Sequence, residues 1–206
     1  MTEPRTITLP MTPEVARSLT LGEMIYLDGQ ITATAGIPTH ARILDYLDRG
    51  DALPVDLKRA AFFHLGSYSE ERDGTLDVLY MNPTTSTRFN DVMPRIIREL
   101  GLACVGGKGG LSAPSAAALR DVGGVYLSFL GGGCPLLSDA IKRVVDVAWQ
   151  DMISHYRLVV LEVARLGPLT VAIDAQGRSL YDDLAHEAQT RRGEILAKLA
   201  QDRAQQ

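Results

Sequence analysis

Four hydroxyl residues and a guanidinium, Thr84-Thr85-Ser86-Thr87-Arg88, follow Asn82-Pro83 in a chain of 206 residues. Hydroxyls and backbone N–H groups bind anionic oxygen, and an arginine can grip a carboxylate through two parallel hydrogen bonds. A helix expected from about Asn90 would add its positive end to the same place. The run therefore reads as an anion site, although a capped turn with Arg88 on the surface accounts for it equally well.

A second group is Gly106-Gly107-Lys108-Gly109-Gly110. Glycines let the backbone approach a ligand closely, and Lys108 supplies a point charge. A phosphate-binding P-loop is excluded, because Leu102 and Gly109 stand where that motif needs glycine and Ser or Thr. A flexible surface loop is the plainer use of such a run, but a single lysine among four glycines is unusual for one. The third group, Gly131-Gly132-Gly133-Cys134, leads into a short helix, where a cysteine thiol can become more acidic. A packing corner with an inert thiol is its simpler reading.

The histidines say less. His40 lies at a helix start, His64 ends an apolar strand, and His155 and His186 sit among polar residues. No pair has metal-ligand spacing, and no Gly-x-Ser-x-Gly elbow is present. No metal ligands are expected from this chain.

The elements that must position these loops alternate between helix and strand. Helices are expected from Thr12-Pro13-Glu14 to Leu21, over Thr39–Asp48, Asn90–Leu100 and Ser115–Val122, and in a short segment running into Lys142. Strands are expected at Met24–Leu27 and Gln30–Thr34, joined by an Asp28-Gly29 turn, and at Ala60–Leu65, Leu76–Met81, Ala103–Val105 and Val125–Leu130. Three more follow at Val144–Trp149, Leu158–Val163 and Leu169–Ile173, with a turn over Asp174–Gly177. Ser67–Asp73 reads as a polar surface loop, and Asp183–Gln206 as a polar, amphipathic helical tail. Hairpins mixed with strand–helix units imply an α/β fold with a mixed sheet in one domain over residues 1–206. Each candidate loop follows a strand, where α/β proteins place ligands.

Composition narrows the function. A net charge of −4 gives no basic footprint for nucleic acid or an anionic membrane. No apolar run approaches a membrane span, and Met1-Thr-Glu-Pro-Arg has no signal-peptide core. A cytoplasmic protein with reduced thiols is the expectation. Two cysteines, Cys104 and Cys134, cannot hold an iron–sulfur cluster, which takes three or four thiolates.

Taken in order, the motifs resemble the β-subunits of class I fumarase and L-tartrate dehydratase. Pro83-Thr84-Thr85-Ser86-x-Arg88, Gly107-Lys108-Gly109-Gly110, Gly123-Gly124-Val125-Tyr126 and Gly131-Gly132 carry the resemblance. Leu21-Gly22-x-x-Ile25-Tyr26-Leu27-x-Gly29, Leu53-Pro54-Val55-Asp56-Leu57 and Gly167-Pro168-Leu169-x-Val171-x-Ile173-Asp174-x-x-Gly177 extend it from Leu9 to Tyr181.

The resemblance implies a swivelling β/β/α-type domain that closes over a 4Fe-4S cluster held by an α-subunit and not by this chain. It implies reversible hydration of a C4-type dicarboxylic acid, active only with that subunit. A hetero-oligomer follows, with pairing of two copies of this chain also open. Thr84 matches the family's proton-abstracting residue, and Arg88 and Lys108 match its carboxylate ligands. Thr85, Ser86, Gly107, Gly109 and His40 complete the expected substrate site, with Lys108 also supporting catalysis. The α-subunit would supply the acid and further carboxylate ligands.

One departure stands out. The family's Arg-Asp pair before a histidine is replaced by Ala35-Gly36-Ile37-Pro38-Thr39-His40. Loss of a charge-assisted bond costs roughly 1.5–3 kcal/mol. A modified diacid with less charge at that end fits the replacement, unless Arg42 reaches the Thr84 pocket. From another class, the alternative function is a non-catalytic small-carboxylate-binding or regulatory module.

Overall fold

The computed structural model describes residues 3–204. Its centre is a seven-stranded mixed sheet in the order β1 (Arg5–Thr8), β2 (Met24–Ala33), β3 (Ala61–Phe63), β6 (Cys104–Gly107), β7 (Val125–Ser128), β9 (Leu158–Ile173) and β8 (Ile141–Ala148). The first five are parallel neighbours, while β9 runs antiparallel to β2, β7 and β8. β9 pairs with β2 from Val159 to Thr170 and with β7 from Thr170 to Ile173, so it closes the sheet on itself. A separate hairpin, β4 (Leu65–Arg72) and β5 (Thr75–Pro83), grows out of the end of β3.

Alternation along the strands builds two cores. Phe63, Cys104, Leu127 and Val159 face inward with Ile25 and Leu27 from β2. Their sequence neighbours Phe62, Val105, Tyr126 and Leu158 face the helices. There they meet Ile43 of α2 (Ile37–Arg49), Ile96 of α3 (Met93–Leu100) and Leu119 of α4 (Ala113–Val122). Each of these helices has proline in its first turn and ends at a left-handed glycine, Gly50, Gly101 or Gly123. α1 (Pro13–Ser18) is capped by the Thr12 side chain, as expected.

Several expected boundaries are corrected. The expected hairpin over residues 24–34 is instead the single strand β2, ending at Ala33, whose register shifts at Ile25/Leu27 and Leu27/Gly29 absorb the Asp28-Gly29 pair. Leu158–Val163 and Leu169–Ile173 merge into β9. Ser67–Asp73 is not a loop: β4 occupies it, and Asp73-Gly74, both at positive φ, form the two-residue turn to β5. The helix expected from Asn90 starts at Met93, behind a 3-10 turn over Ser86–Phe89. The short helix α5 (Cys134–Ser138) stops before Lys142, which lies in β8. The tail helix α6 (Leu180–Ala204) begins at Leu180 and buries no residue, so its apolar residues Leu184, Ile195, Leu196 and Leu199 are exposed. Residues 205–206 of the expected tail, like Met1-Thr2, lie outside the described residues. No described helix is long and apolar enough to cross a membrane.

Candidate active site

The parallel strands β3 and β6 deliver His64 and Lys108 to one edge of the sheet, and β5 returns to the same edge carrying Thr84. Backbone bonds lock these ends together. Thr84 N donates to His64 O at 2.8 Å, Lys108 N to Thr84 O at 3.0 Å, and Ser86 N to Lys108 O at 2.8 Å. Thr85 and Lys108 thereby form a parallel bridge between the hydroxyl run and the glycine loop.

The glycines are required by close approach. A Cβ on Gly107 would run into Ser86 Oγ and come within 3.1 Å of Thr84 O. Gly109 has φ +78°, and a Cβ there would lie 3.3 Å from Thr85 Cγ2. A Cβ on Gly131 would stand 3.8 Å from Lys108 Cδ, so the third glycine loop flanks the lysine stem. Cys134 is turned elsewhere, its thiol 3.8 Å from Ser138 Oγ.

Thr84, Thr85, Arg88 and Lys108 line a hollow of about 270 Å³, together with Ala35, Gly66, Tyr80, Asn82, Pro83 and His155. Arg88 Nη1 donates to Thr84 Oγ1 at 3.2 Å. The lining contains Arg88 and Lys108 and no carboxylate. It suits a small anion, and its volume is at the low end for ligand pockets, too small for a nucleotide. A larger cleft of about 760 Å³ lies elsewhere and is lined by Asp56, Asp146 and Glu162 against Lys58 alone. Its charge has the wrong sign for a diacid, so size does not decide the site.

Beneath the hollow lies a buried polar network. Ser86 is fully buried and accepts from Tyr126 Oη at 2.8 Å. Burial pushes the Tyr126 phenol up, so it keeps its proton. Ser86 Oγ is also 2.8 Å from His64 Nδ1. Ser86 Oγ, with two lone pairs and one proton, meets both Tyr126 and His64 and so ties the two rings together. Burial, then the nearby His40, hold the His64 pKa well down, and burial holds that of His40 down to about 4. Both rings are therefore neutral at pH 7. His40 Nδ1 faces Gly36 O at 2.6 Å, which leaves its Nε2 as a bare acceptor. Among the described residues neither Nε2 has a hydrogen-bond partner, and the two ring centres are 5.3 Å apart.

The expected residues thus divide. Thr84, Thr85, Arg88 and Lys108 meet at the hollow, while Ser86, Gly107 and Gly109 shape its loops. His40 is a correction: it is wholly buried, stacked on Phe89 at 4.0 Å, and does not line the hollow. Its apolar packing carries it into the layer below. Arg42 does not line it either. Its guanidinium is held by Asp151 at 2.9 and 2.7 Å and lies over Trp149. Tyr80 and His155, absent from the expected set, do line it.

This chain's residues do not fit an iron–sulfur cluster. Cys104 is fully buried, and burial pushes its thiol up to about 12, away from the thiolate that a metal needs. Among the described residues no three His, Cys, Asp or Glu side chains gather as a metal cradle.

Residues 2–184 match the family model described as Fumarase C-terminus, and the chain belongs to that family. It is 32% identical over 187 residues to a Methanocaldococcus jannaschii protein named a candidate L(+)-tartrate dehydratase subunit beta, covering 90% of this chain and 95% of that one. It is 26% identical to the L(+)-tartrate dehydratase subunit beta of Escherichia coli K12, covering 95% of each. A Geobacillus stearothermophilus protein named a candidate class I fumarate hydratase is 32% identical, matching 88% of this chain but 35% of its own length.

Proposed function

We propose that this chain is the β-subunit of a two-subunit hydro-lyase acting on a C4-type dicarboxylic acid or a modified diacid. The observation that carries the reading is the Arg88–Thr84 contact of 3.2 Å in a hollow with Lys108 and no carboxylate. A threonine hydroxyl is a poor base in water. Cations beside it favour its alkoxide, which lowers the cost of removing a proton from carbon.

In the dehydration direction, Arg88 and Lys108 hold a substrate carboxylate. Thr84 Oγ1 takes the proton from the adjacent carbon, and the C–H electron pair becomes the new C=C bond. The hydroxyl on the neighbouring carbon leaves as water, with its proton supplied by the partner subunit. Thr85 donates to the bound acid, and Ser86 fixes the loop from below. A 4Fe-4S cluster, assigned to the α-subunit, would polarise substrate oxygens when present. The relatives named tartrate dehydratase subunit beta and class I fumarate hydratase support the reading. Cytoplasmic assembly with an α-subunit, with both thiols reduced, is part of the same proposal.

The test is Thr84→Ala and Thr84→Ser in the complex assembled anaerobically with the α-subunit. Alanine should abolish turnover of unsaturated diacids with assembly intact, and serine should keep part of it. Full turnover in Thr84→Ala would remove the base assignment. A wild-type chain that binds diacids yet never assembles or turns over would instead be a carboxylate-binding module.

A further inference from the structure

His155 and Tyr80 border the Thr84 hollow, and neither has a part in the chemistry above. Tyr80 Oη and His155 Nε2 lie 3.0 Å apart. The pair is built in from several sides. Ala35 N donates to His155 O at 2.9 Å. Ser154 Oγ donates to Ser67 O at 3.3 Å and accepts from Ser69 N at 3.0 Å, pinning the turn before His155 to β4. The rings of Tyr68 and Tyr80 stack with 11° between their planes. Gly66 makes room for the imidazole, since a Cβ there would come within 3.2 Å of His155 Cδ2 and 3.3 Å of Ala35 Cβ.

Counting protons defines what this wall can offer. One proton is shared between the phenol and the imidazole nitrogen. If Tyr80 donates, its oxygen keeps only acceptor capacity toward the hollow; if His155 donates, the phenol has one O–H left. Either way the phenol donates at most one hydrogen bond to a ligand. A carboxylate clamp needs two parallel donors, and this wall has no arginine or lysine to give them.

Position separates this wall from the cations. Tyr80 and Asn82 share one face of β5, and Thr84 is the first residue beyond its end at Pro83. At ~3.3 Å per residue, the three steps of strand from Tyr80 to Pro83 span about 10 Å, and Thr84 lies one residue further on. Arg88 and Lys108 belong to the Thr84 end.

We propose that Tyr80, oriented by His155, is a specificity-determining residue. It reads one uncharged oxygen at the substrate end remote from Arg88 and Lys108. The preferred ligand then has one free carboxylate and a neutral polar second end, such as an amide, ester or hydroxyl. His155 is a positioning residue. The inference deepens the hydro-lyase reading by naming the substrate class, but its binding step stands without turnover.

The experiment measures calorimetric affinity of the assembled complex for two probes, fumarate and fumaric acid monoamide, alongside hydration of each. The wild type should bind the monoamide at least as tightly as fumarate. Tyr80→Phe should weaken the monoamide five- to tenfold and fumarate less than twofold. His155→Gln, which can still meet the phenol, should keep most of the preference, while His155→Ala should lose it through KM and not kcat. A wild type that prefers fumarate, a Tyr80→Phe variant that moves both probes alike or neither, or no binding of either probe would overturn the proposal. The expected affinities with no hydration of either probe would leave it standing and overturn the hydro-lyase reading alone.

Discussion

Arg88 Nη1 donates to Thr84 Oγ1 at 3.2 Å, from a position four residues further along the chain. The 3-10 turn over Ser86–Phe89 brings the guanidinium back over the hydroxyl. Removing this charge should cost turnover more than binding. Arg88→Met in the assembled complex is expected to lower kcat about 10²–10³-fold, the usual effect of losing one preorganised donor. Arg88→Lys should recover little of it, because a point charge lacks the fork geometry. Steady-state kinetics on the best substrate of a diacid panel would check both.

Ser86 joins Tyr126 and His64 in the buried layer. Ser86→Ala would leave both partners unsatisfied and should lower unfolding stability by roughly 2–4 kcal/mol. Tyr126→Phe should cost less, and the double variant less than the sum, because the two changes remove one shared bond. Urea unfolding of the three variants gives the comparison.

Gly107→Ala places a methyl against Ser86 Oγ, His64 Cβ and Thr84 O. Two of these belong to the hydroxyl run, so the loops must part. A stability loss of about 1–3 kcal/mol is expected, with a larger fall in activity than Gly132→Ala causes, although Gly132 itself sits at φ +80° with open space around it. Thermal melts and turnover of both variants would separate the effects.

Acid should loosen the fold through His40 and His64. Their folded pKa values lie below the ordinary 6.5, that of His40 at about 4, so the unfolded chain binds the extra protons. The stabilisation is complete above pH 6.5 and is lost as pH falls through that value toward 4, by up to roughly 3 kcal/mol for His40. His40→Phe should flatten that part of the curve while keeping a ring against Phe89. Denaturation midpoints from pH 7 to 4 would measure it.

Arg42→Ala should leave kcat unchanged and move stability by at most about 1 kcal/mol, since its partner Asp151 is largely exposed. A fall in kcat comparable to that of Arg88→Met would return Arg42 to the site.

The legible part of the fold was the part with strong local signals. Proline-started and glycine-ended helices such as α2 and α4 stood close to their expected bounds, and the runs flanking Thr84 and Lys108 led to one hollow. Long-range pairing was harder to see. β9 is continuous because β8, β2 and β7 pair with it in turn along its length, while a Gly167-Pro168 pair reads locally as a break. β4 was hidden by its polarity: Ser67, Ser69, Glu70 and Glu71 lack the apolar alternation of a strand, and Asp73-Gly74 was the signal that could have found it. His40 looked available because a histidine near a helix start is usually solvated, and only the packing of Phe89 shows otherwise. His155 was set aside for the opposite reason, since its polar sequence neighbours conceal a place beside Gly66 and Ala35.

The short path along β5 from Tyr80 to Thr84 also bears on how such a protein can diverge. Both residues hang from one uninterrupted stretch of backbone, so a single insertion or deletion between them would flip one to the opposite face and shift it by a residue's length. Point substitutions at Tyr80 can retune which acid is accepted while Thr84 stays in place. The hairpin tip at Asp73-Gly74, by contrast, is free to gain or lose residues without disturbing that spacing. Length variation among relatives should therefore collect at the tip and leave the interval from Tyr80 to Thr84 unchanged.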